Sequence, residues 1–566
     1  MKDFWNDLEH VSKLGNKFHY MHSLTLRELE NELEDSAFEI IDGQQRLATS
    51  LILLGLLAKT TQNKDPKYSL INLEPILSYK YYGLSEAFRA ITEEEKDLEA
   101  FKTSFYAKNL IKAYAFFKEK ISDTPIETLE KMFDALIKKM LFSVVELNDN
   151  RIDPFSSFET INNRGKDLST LELLKNRLHF VAHKICDEGD LENLQQEIND
   201  TYTRIYHDLR FFEDTHLGDF LKYFVAYYYG EKKDFKERLL NTAFDAHKKY
   251  DDLYDEYEKI NDLLLYLSYS SKVWYFLHTL DDEELRIEIT PKTRTLLEKM
   301  RCLNALSDNA FLPLLLSLFT IQLAVRSGSE RHYTTKELES LSAYLERFGF
   351  LIYGVAGKNT AKNEWIELAF QAFRAYRFWE NKITIEDLPT LEKSFFKGEH
   401  SALELLEENI HSKKNTEKWY QWDKALNYLL YEYELYHNPE TTLNFDGSIE
   451  SIEHILPQKP DQGYSAKEKD WAKNPHVVHA LGNLLLISKN ANSSLSNKPF
   501  EEKRKAYLKG SYSEKEVAKN ASFGIIEIQK RSEKLLDFLI MRYRIAELVG
   551  EDAIKDFKNA LLKEIK

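Results

Sequence analysis

The chain has 566 residues, 43% of them apolar and 30% charged, with only 19 Gly and 12 Pro. It is too long for one hydrophobic core and too apolar to be disordered. Its net charge of −16 argues against a protein that coats nucleic acid nonspecifically, and its two cysteines, Cys186 and Cys302, form no CxxC pair that could build a zinc site. A reducing cytoplasm fits this cysteine usage. MKDFWNDLEH lacks a basic segment followed by an apolar one, so no secretory signal is expected. Of the two long apolar runs, 47–58 is too short to span a bilayer and 310–325 is interrupted by Pro313, Ser317, Thr320 and Gln322.

In chain order, Phe4, Trp5, Leu8 and Val11 mark an amphipathic helix, followed by a strand, HYMHSLTL. FEII reads as a buried strand, Asp42–Gly43 as a turn and Gln44 onward as a helix. LFSVVEL at 141–147 is a further strand, placed before FSSFETINNRGKDLSTLELLKNRL. Residues 186–440 repeat apolar positions at helical spacing, and their aromatic stripes suit helix packing better than a cofactor site. From 441 the texture changes to loop, short strand and helix. The expected domains are 1–185, 186–440 and 441–566, in an α+β chain dominated by helix.

Three C-terminal pieces stand in order: IEHILPQ at 452–458, HALGNLLLIS at 479–488 and KNANSSLSNKPFEEKRKAY at 489–507. The first two read as short strands joined by a long polar loop. The third reads as a helix capped by Ser488. Strand, strand and helix carrying His and Asn residues form a ββα-metal arrangement. Cleaving a phosphodiester needs a deprotonated water and a cation on the developing charge. A histidine can take that proton when its other ring nitrogen is held. One hard divalent ion needs only one or two protein oxygens, with phosphate and water. Positive charge also gathers here: residues 484–544 hold 13 Lys/Arg against 7 Asp/Glu, which suits either a phosphate-facing surface or solvated helix faces. At the other end, IIDGQQRL places backbone N–H groups at a helix start, where phosphate can bind, with Arg46 one turn from Asp42.

EHILPQ, LGNLLL and NSSLSNKPFEEK together resemble the HNH nuclease domain at the C-terminus of GmrSD-type modification-dependent restriction enzymes, over residues 440–510. The resemblance implies His454 as general base, Asn483 as the residue that orients it and Asn492 as a metal ligand. Glu453 takes the position of a second ligand. Neighbouring strand residues face opposite ways, however, so Glu453 and His454 reach one ion only if the strand kinks near Pro457. Lys498 and Lys503 fit phosphate contacts, or equally solvated helix lysines. DGQQR and F-E-x-I-N-x-R-G resemble the N-terminal domain of the same family, a ParB/sulfiredoxin-like fold. That likeness implies a nucleotide site lined by Asp42, Gly43, Gln44, Gln45 and Arg46, with Asn162, Arg164 and Gly165 nearby. The family's opening Q-R-x-Y-x-W stretch has no counterpart before FWNDL, which implies a domain lacking its first strand.

The expected function is therefore a phage-defence DNA endonuclease using Mg²⁺ or Mn²⁺ and regulated by NTP. Two alternatives stay open: a non-catalytic nucleic-acid-binding regulator, and an NTPase that controls a partner nuclease. DNA and nucleotide are the expected partners, with no membrane. Which base modification is sensed, which NTP is used and whether the chain forms an oligomer are left open.

Overall fold

The computed structural model describes the chain apart from residues 16, 30–36, 63–76, 78, 80–81, 147–168, 232, 247, 251, 284, 286, 326–332, 392–403, 405, 407–417, 444–449, 461–462 and 563–566. It is helix-dominated with few strands, an α+β chain as expected. Two compact units divide it: 1–225 with 233–275, and 226–232 with 276–566. The 186–440 stretch is helical among the described residues but is shared between these units, where a separate central body was expected.

The first unit begins with the helix Lys2–Lys13, which buries Trp5, Leu8 and Val11 at spacings of three along one face. Phe4 and Trp5 both lie against Phe117, with ring centroids 6.3 Å away. A three-stranded sheet follows, in the order β2-β1-β3, made of β1 (His19–Leu29), β2 (Ala37–Asp42) and β3 (Met140–Glu146). β1 runs antiparallel to β2 and parallel to β3. The expected strands HYMHSLTL, FEII and LFSVVEL are these three.

The β1–β3 register slips between Tyr20 and Ser23, where His22 takes a positive φ of 68°. A slip of this kind takes carbonyls out of the ladder. Arg46 Nη1 answers it, donating to Met21 O at 3.2 Å and Ser23 O at 2.9 Å. Arg46 lies on the helix Gln44–Thr60, which starts after Gly43 at φ 98°. A Cβ on Gly43 would meet Leu24 Cδ1 at 2.9 Å, so the turn hugs β1 and needs glycine. That helix is apolar nearly all round, as a buried helix must be, and it packs on the helices Phe105–Ser122 and Ile126–Lys138.

In the second unit, Leu312–Ala324 is a core helix buried along its length from Leu312 to Gln322. No helix among the described residues is long and apolar enough to cross a membrane. The helices Pro291–Ser307, Thr335–Phe348, Asp423–His437 and Ile525–Arg542 converge on buried charges. Glu432 takes Lys299 at 2.7 Å and Arg542 at 2.9 Å, and Glu346 takes Arg542 at 3.2 Å and the Tyr428 hydroxyl at 2.6 Å. Each buried charge has an opposite partner, the condition under which it is tolerated.

Beyond these helices, β4 (Glu450–His454) pairs antiparallel with β5 (Leu484–Ser488), from Glu450↔Ser488 to His454↔Leu484. Leu484 to Ile487 are all buried, because helices cover β5 on both faces. Ser488 Oγ accepts from Ala491 N and starts the helix Lys489–Leu495, as expected. The segment between the strands differs from the expected loop. It carries two short helices, Ala466–Trp471, with a Ser465/Glu468 capping box, and Pro475–Val478, capped by Asn474. Both caps are standard start signals whose helices are too short to show periodicity.

Candidate active site

His454 ends β4 and faces away from Glu453, its neighbour on the strand. Its imidazole is 8% exposed, with Nε2 3.0 Å from His479 Nδ1. The two rings meet nearly at right angles (80°) with centroids 5.1 Å apart. Tyr420, from the short helical turn Lys418–Trp422, covers both: its centroid lies 4.8 Å from that of His454 and 5.8 Å from that of His479, to which it is stacked. Gln458 Nε2 lies at a long 3.5 Å from both His454 ring nitrogens. Burial, reinforced by His479 and Lys503, lowers the His454 pKa from the ordinary 6.5 to about 3. The ring is thus neutral at physiological pH, with a lone pair on one of its two nitrogens.

On the other face of β4, Glu453 is 3% exposed. Its Oε1 accepts from Lys503 Nζ at 2.6 Å and from the Tyr507 hydroxyl at 3.0 Å. The two sites that were expected to share an ion therefore point to opposite sides of the strand. Glu453 Oε1 is thus engaged by Lys503 and Tyr507, and no kink at Pro457 turns the carboxylate toward His454, the condition set for the two to reach one ion. Lys503, expected at phosphate, is turned inward instead. Its side chain has no exposure, and the three ammonium hydrogens have three acceptors: Glu453 Oε1, His454 O at 2.8 Å and Ile455 O at 3.3 Å. Burial pushes the Glu453 carboxyl up and the Lys503 ammonium down, and their mutual attraction opposes both shifts. Lys498 is exposed, and its backbone oxygen accepts from the Tyr464 hydroxyl.

Asn483 is fully buried and makes no side-chain bond to the His454 ring; it holds the backbone just after His454, where its own carbonyl accepts from Ile455 N at 3.0 Å. Its Oδ1 accepts from Leu456 N at 2.8 Å, and Nδ2 donates to Leu456 O at 2.9 Å and Val478 O at 2.7 Å. Those three bonds use both its amide hydrogens and its oxygen on backbone, tying the turn after β4 to the turn before β5. Gly482 and Leu484 are held from behind: Arg531 Nη1 donates to both carbonyls, at 2.9 and 2.7 Å, and Ser532 Oγ accepts from Gly482 N at 2.8 Å. Asn492 donates both amide hydrogens to β4, to Ser451 Oγ at 2.8 Å and Ile452 O at 3.0 Å. Its Oδ1 is then the atom with capacity for a cation. Among the described residues no group of three or more His, Cys, Asp or Glu could hold a metal ion.

His479, Tyr420 and Arg531 were not anticipated. A signal for His479 exists, as a second histidine just before the LGN turn; Tyr420 and Arg531 are joined to the site only by the fold.

Two family models match the chain: the N-terminal domain of GmrSD restriction endonucleases over residues 1–179, and the C-terminal domain over 406–538. The chain belongs to the GmrSD restriction endonuclease family. No curated protein matches it.

The GmrSD C-terminal match contains Tyr420, His454, His479, Asn483, Asn492 and Lys503. In the GmrSD N-terminal domain the expected nucleotide residues are less concentrated. Asn162, Arg164 and Gly165 lie outside the described residues, as does the side chain of Asp42. Gln45 is exposed, and Gln44 Nε2 folds back onto Ile40 O at 2.8 Å. Arg46 serves the β1 slip. Arg46→Ala is accordingly expected to destabilise the N-terminal unit by about 1–3 kcal/mol, the cost of leaving buried carbonyls unpaired. Thermal unfolding checks this; unchanged stability with lost nucleotide binding would return Arg46 to the nucleotide site.

Proposed function

We propose that this GmrSD protein is a phage-defence restriction endonuclease that cuts DNA with an HNH-type site in its C-terminal domain, and that His454 is the general base. The observation that carries this reading is the pairing of His454 with His479 beneath Tyr420, inside the matched GmrSD C-terminal domain. In the proposed step, water oxygen attacks phosphorus, its proton passes to the free nitrogen of His454, and the bond to the 3′-oxygen breaks. Asn492 Oδ1 would hold Mg²⁺ or Mn²⁺, with water and phosphate oxygens completing the shell. Such an ion supplies charge stabilisation on the phosphate oxygens.

Recognition of modified bases and regulation by an NTP belong to the same reading, with support from the GmrSD N-terminal match. In that reading a ParB/sulfiredoxin-like domain receives the nucleotide near Gly43 and Gln44. The test is cleavage of unmodified and base-modified plasmid DNA with Mg²⁺ or Mn²⁺, with and without NTP. His454→Ala should slow cutting by about 10²–10⁴-fold, with melting curves of parent and variant showing that the variant is still folded at the assay temperature. Equal rates for parent and variant would overturn the assignment.

A further inference from the structure

The contact between His454 and His479 carries more than proximity. Two imidazole nitrogens 3.0 Å apart share one hydrogen, so one ring donates and the other accepts. If His479 Nδ1 donated, His454 Nε2 would be the acceptor, and the remaining hydrogen of a neutral His454 would sit on Nδ1. Neither nitrogen could then take a proton from water. If His454 Nε2 donates instead, Nδ1 keeps its lone pair, and the ring is a competent base. That pattern leaves His479 with its own hydrogen on Nε2, so both rings adopt the same tautomer.

We propose that His479 is a positioning residue for His454, accepting from Nε2–H at its Nδ1 and so keeping the hydrogen off His454 Nδ1, whose lone pair then meets only the long 3.5 Å approach of Gln458 Nε2 and can serve as the base. This rests on the reading of His454 as general base given above. Three further features support it. His479 is 8% exposed, so water competes poorly for its lone pair. Tyr420 stacks on it at 24°, fixing the ring plane. The candidate that sequence offered for this task, Asn483, has its side chain committed to Leu456 and Val478. Once His454 takes a proton, the bond to His479 becomes charge-assisted and stronger. That strengthening offsets part of the cost that burial places on the protonated ring, and because it acts on proton transfer it bears on kcat rather than KM.

The test uses the full-length protein. In nitrogen-15 histidine spectra without metal or DNA, assigned by comparison with His454→Gln, His454 should show a protonated Nε2 and an unprotonated Nδ1. His479→Phe keeps a ring against Tyr420 and removes the acceptor. It should mix the His454 tautomers and reduce kcat by about 10- to 100-fold, a share of the proton-transfer contribution, with KM unchanged. His479→Asn, which returns an acceptor near the Nδ1 position, should recover much of both. His454 found with its hydrogen on Nδ1 in the parent protein, or an unaltered tautomer in His479→Phe, would overturn the proposal even if that variant cuts slowly. An intact cleavage rate in His454→Ala would instead remove the underlying reading, whatever the spectra show. Should His479→Phe fail to fold, the parent spectrum and His479→Asn still decide.

Discussion

Replacing Lys503 with methionine is expected to lower the unfolding free energy of the C-terminal unit by about 3–5 kcal/mol, the range for removing one partner of a buried ion pair. The ammonium joins Glu453 to the end of β4 through His454 O and Ile455 O. Its loss strands a 3% exposed carboxylate with only the Tyr507 hydroxyl, and two carbonyls with less than they had. The sign with pH follows from burial, which already pushes the Glu453 carboxyl upward. Without Lys503 that carboxyl rises further, so the folded chain keeps its proton to higher pH than the unfolded chain does. Stability of the variant then falls as pH rises through that window, and the deficit is smaller in mild acid. Glu453→Gln combined with Lys503→Met should recover a large part of the loss, because no charge is left buried. Denaturant unfolding of the three variants at two pH values measures this. A stable Lys503→Met protein, whose DNA affinity has lost about one unit of its logarithmic salt slope, would place the lysine on phosphate after all.

Gly482→Ala is expected to cost at least the upper end of the 1–3 kcal/mol typical of overpacking, roughly 3 kcal/mol or more. A Cβ there would lie 2.0 Å from Ile528 O and 2.7 Å from Ser532 N, and backbone cannot swing aside as a flexible side chain can. Relief requires the helix Ile525–Arg542 to withdraw, which pulls Arg531 from Gly482 O and Leu484 O. The turn carrying Asn483 then loosens, so DNA cutting should fall together with stability. Gly218→Ala is the matched control, since a Cβ there meets nothing within 4 Å and the residue is helical. It should be neutral or gain up to about 1 kcal/mol. Comparable melting temperatures for the two variants would contradict the close packing at Gly482.

Much of the frame was legible because its signals are local. Gly43 before an apolar run, Ser488 before Lys489, and the apolar Leu484–Ile487 stretch each constrain their own few residues, and strands and helices formed where they indicated. His454 was legible for the same reason, as a histidine in a short strand ahead of a second strand and a helix. The roles of the polar residues were not, because they depend on partners up to 54 positions away that only the fold brings near. Glu453 looks like a ligand beside His454 until Lys503 and Tyr507 are seen beneath it. Asn483 reads as an amide aimed at the His454 ring, whereas the fold sets its side chain on the backbone of Leu456 and Val478. Alternation along a strand predicts that Glu453 and His454 diverge, and the structure follows that rule without the kink that would have joined them.

The grip of Arg531 and Ser532 on the LGN turn has a consequence for working with pieces of the chain. A fragment ending near residue 520 would contain EHILPQ, LGN and NKPFEEK in full, yet it would lack the guanidinium and hydroxyl that hold Gly482 and Leu484. The motif text and the minimum folding segment have different lengths. Truncations meant to isolate the cutting module should therefore be bounded by the end of the Ile525–Arg542 helix, not by the last recognisable motif residue.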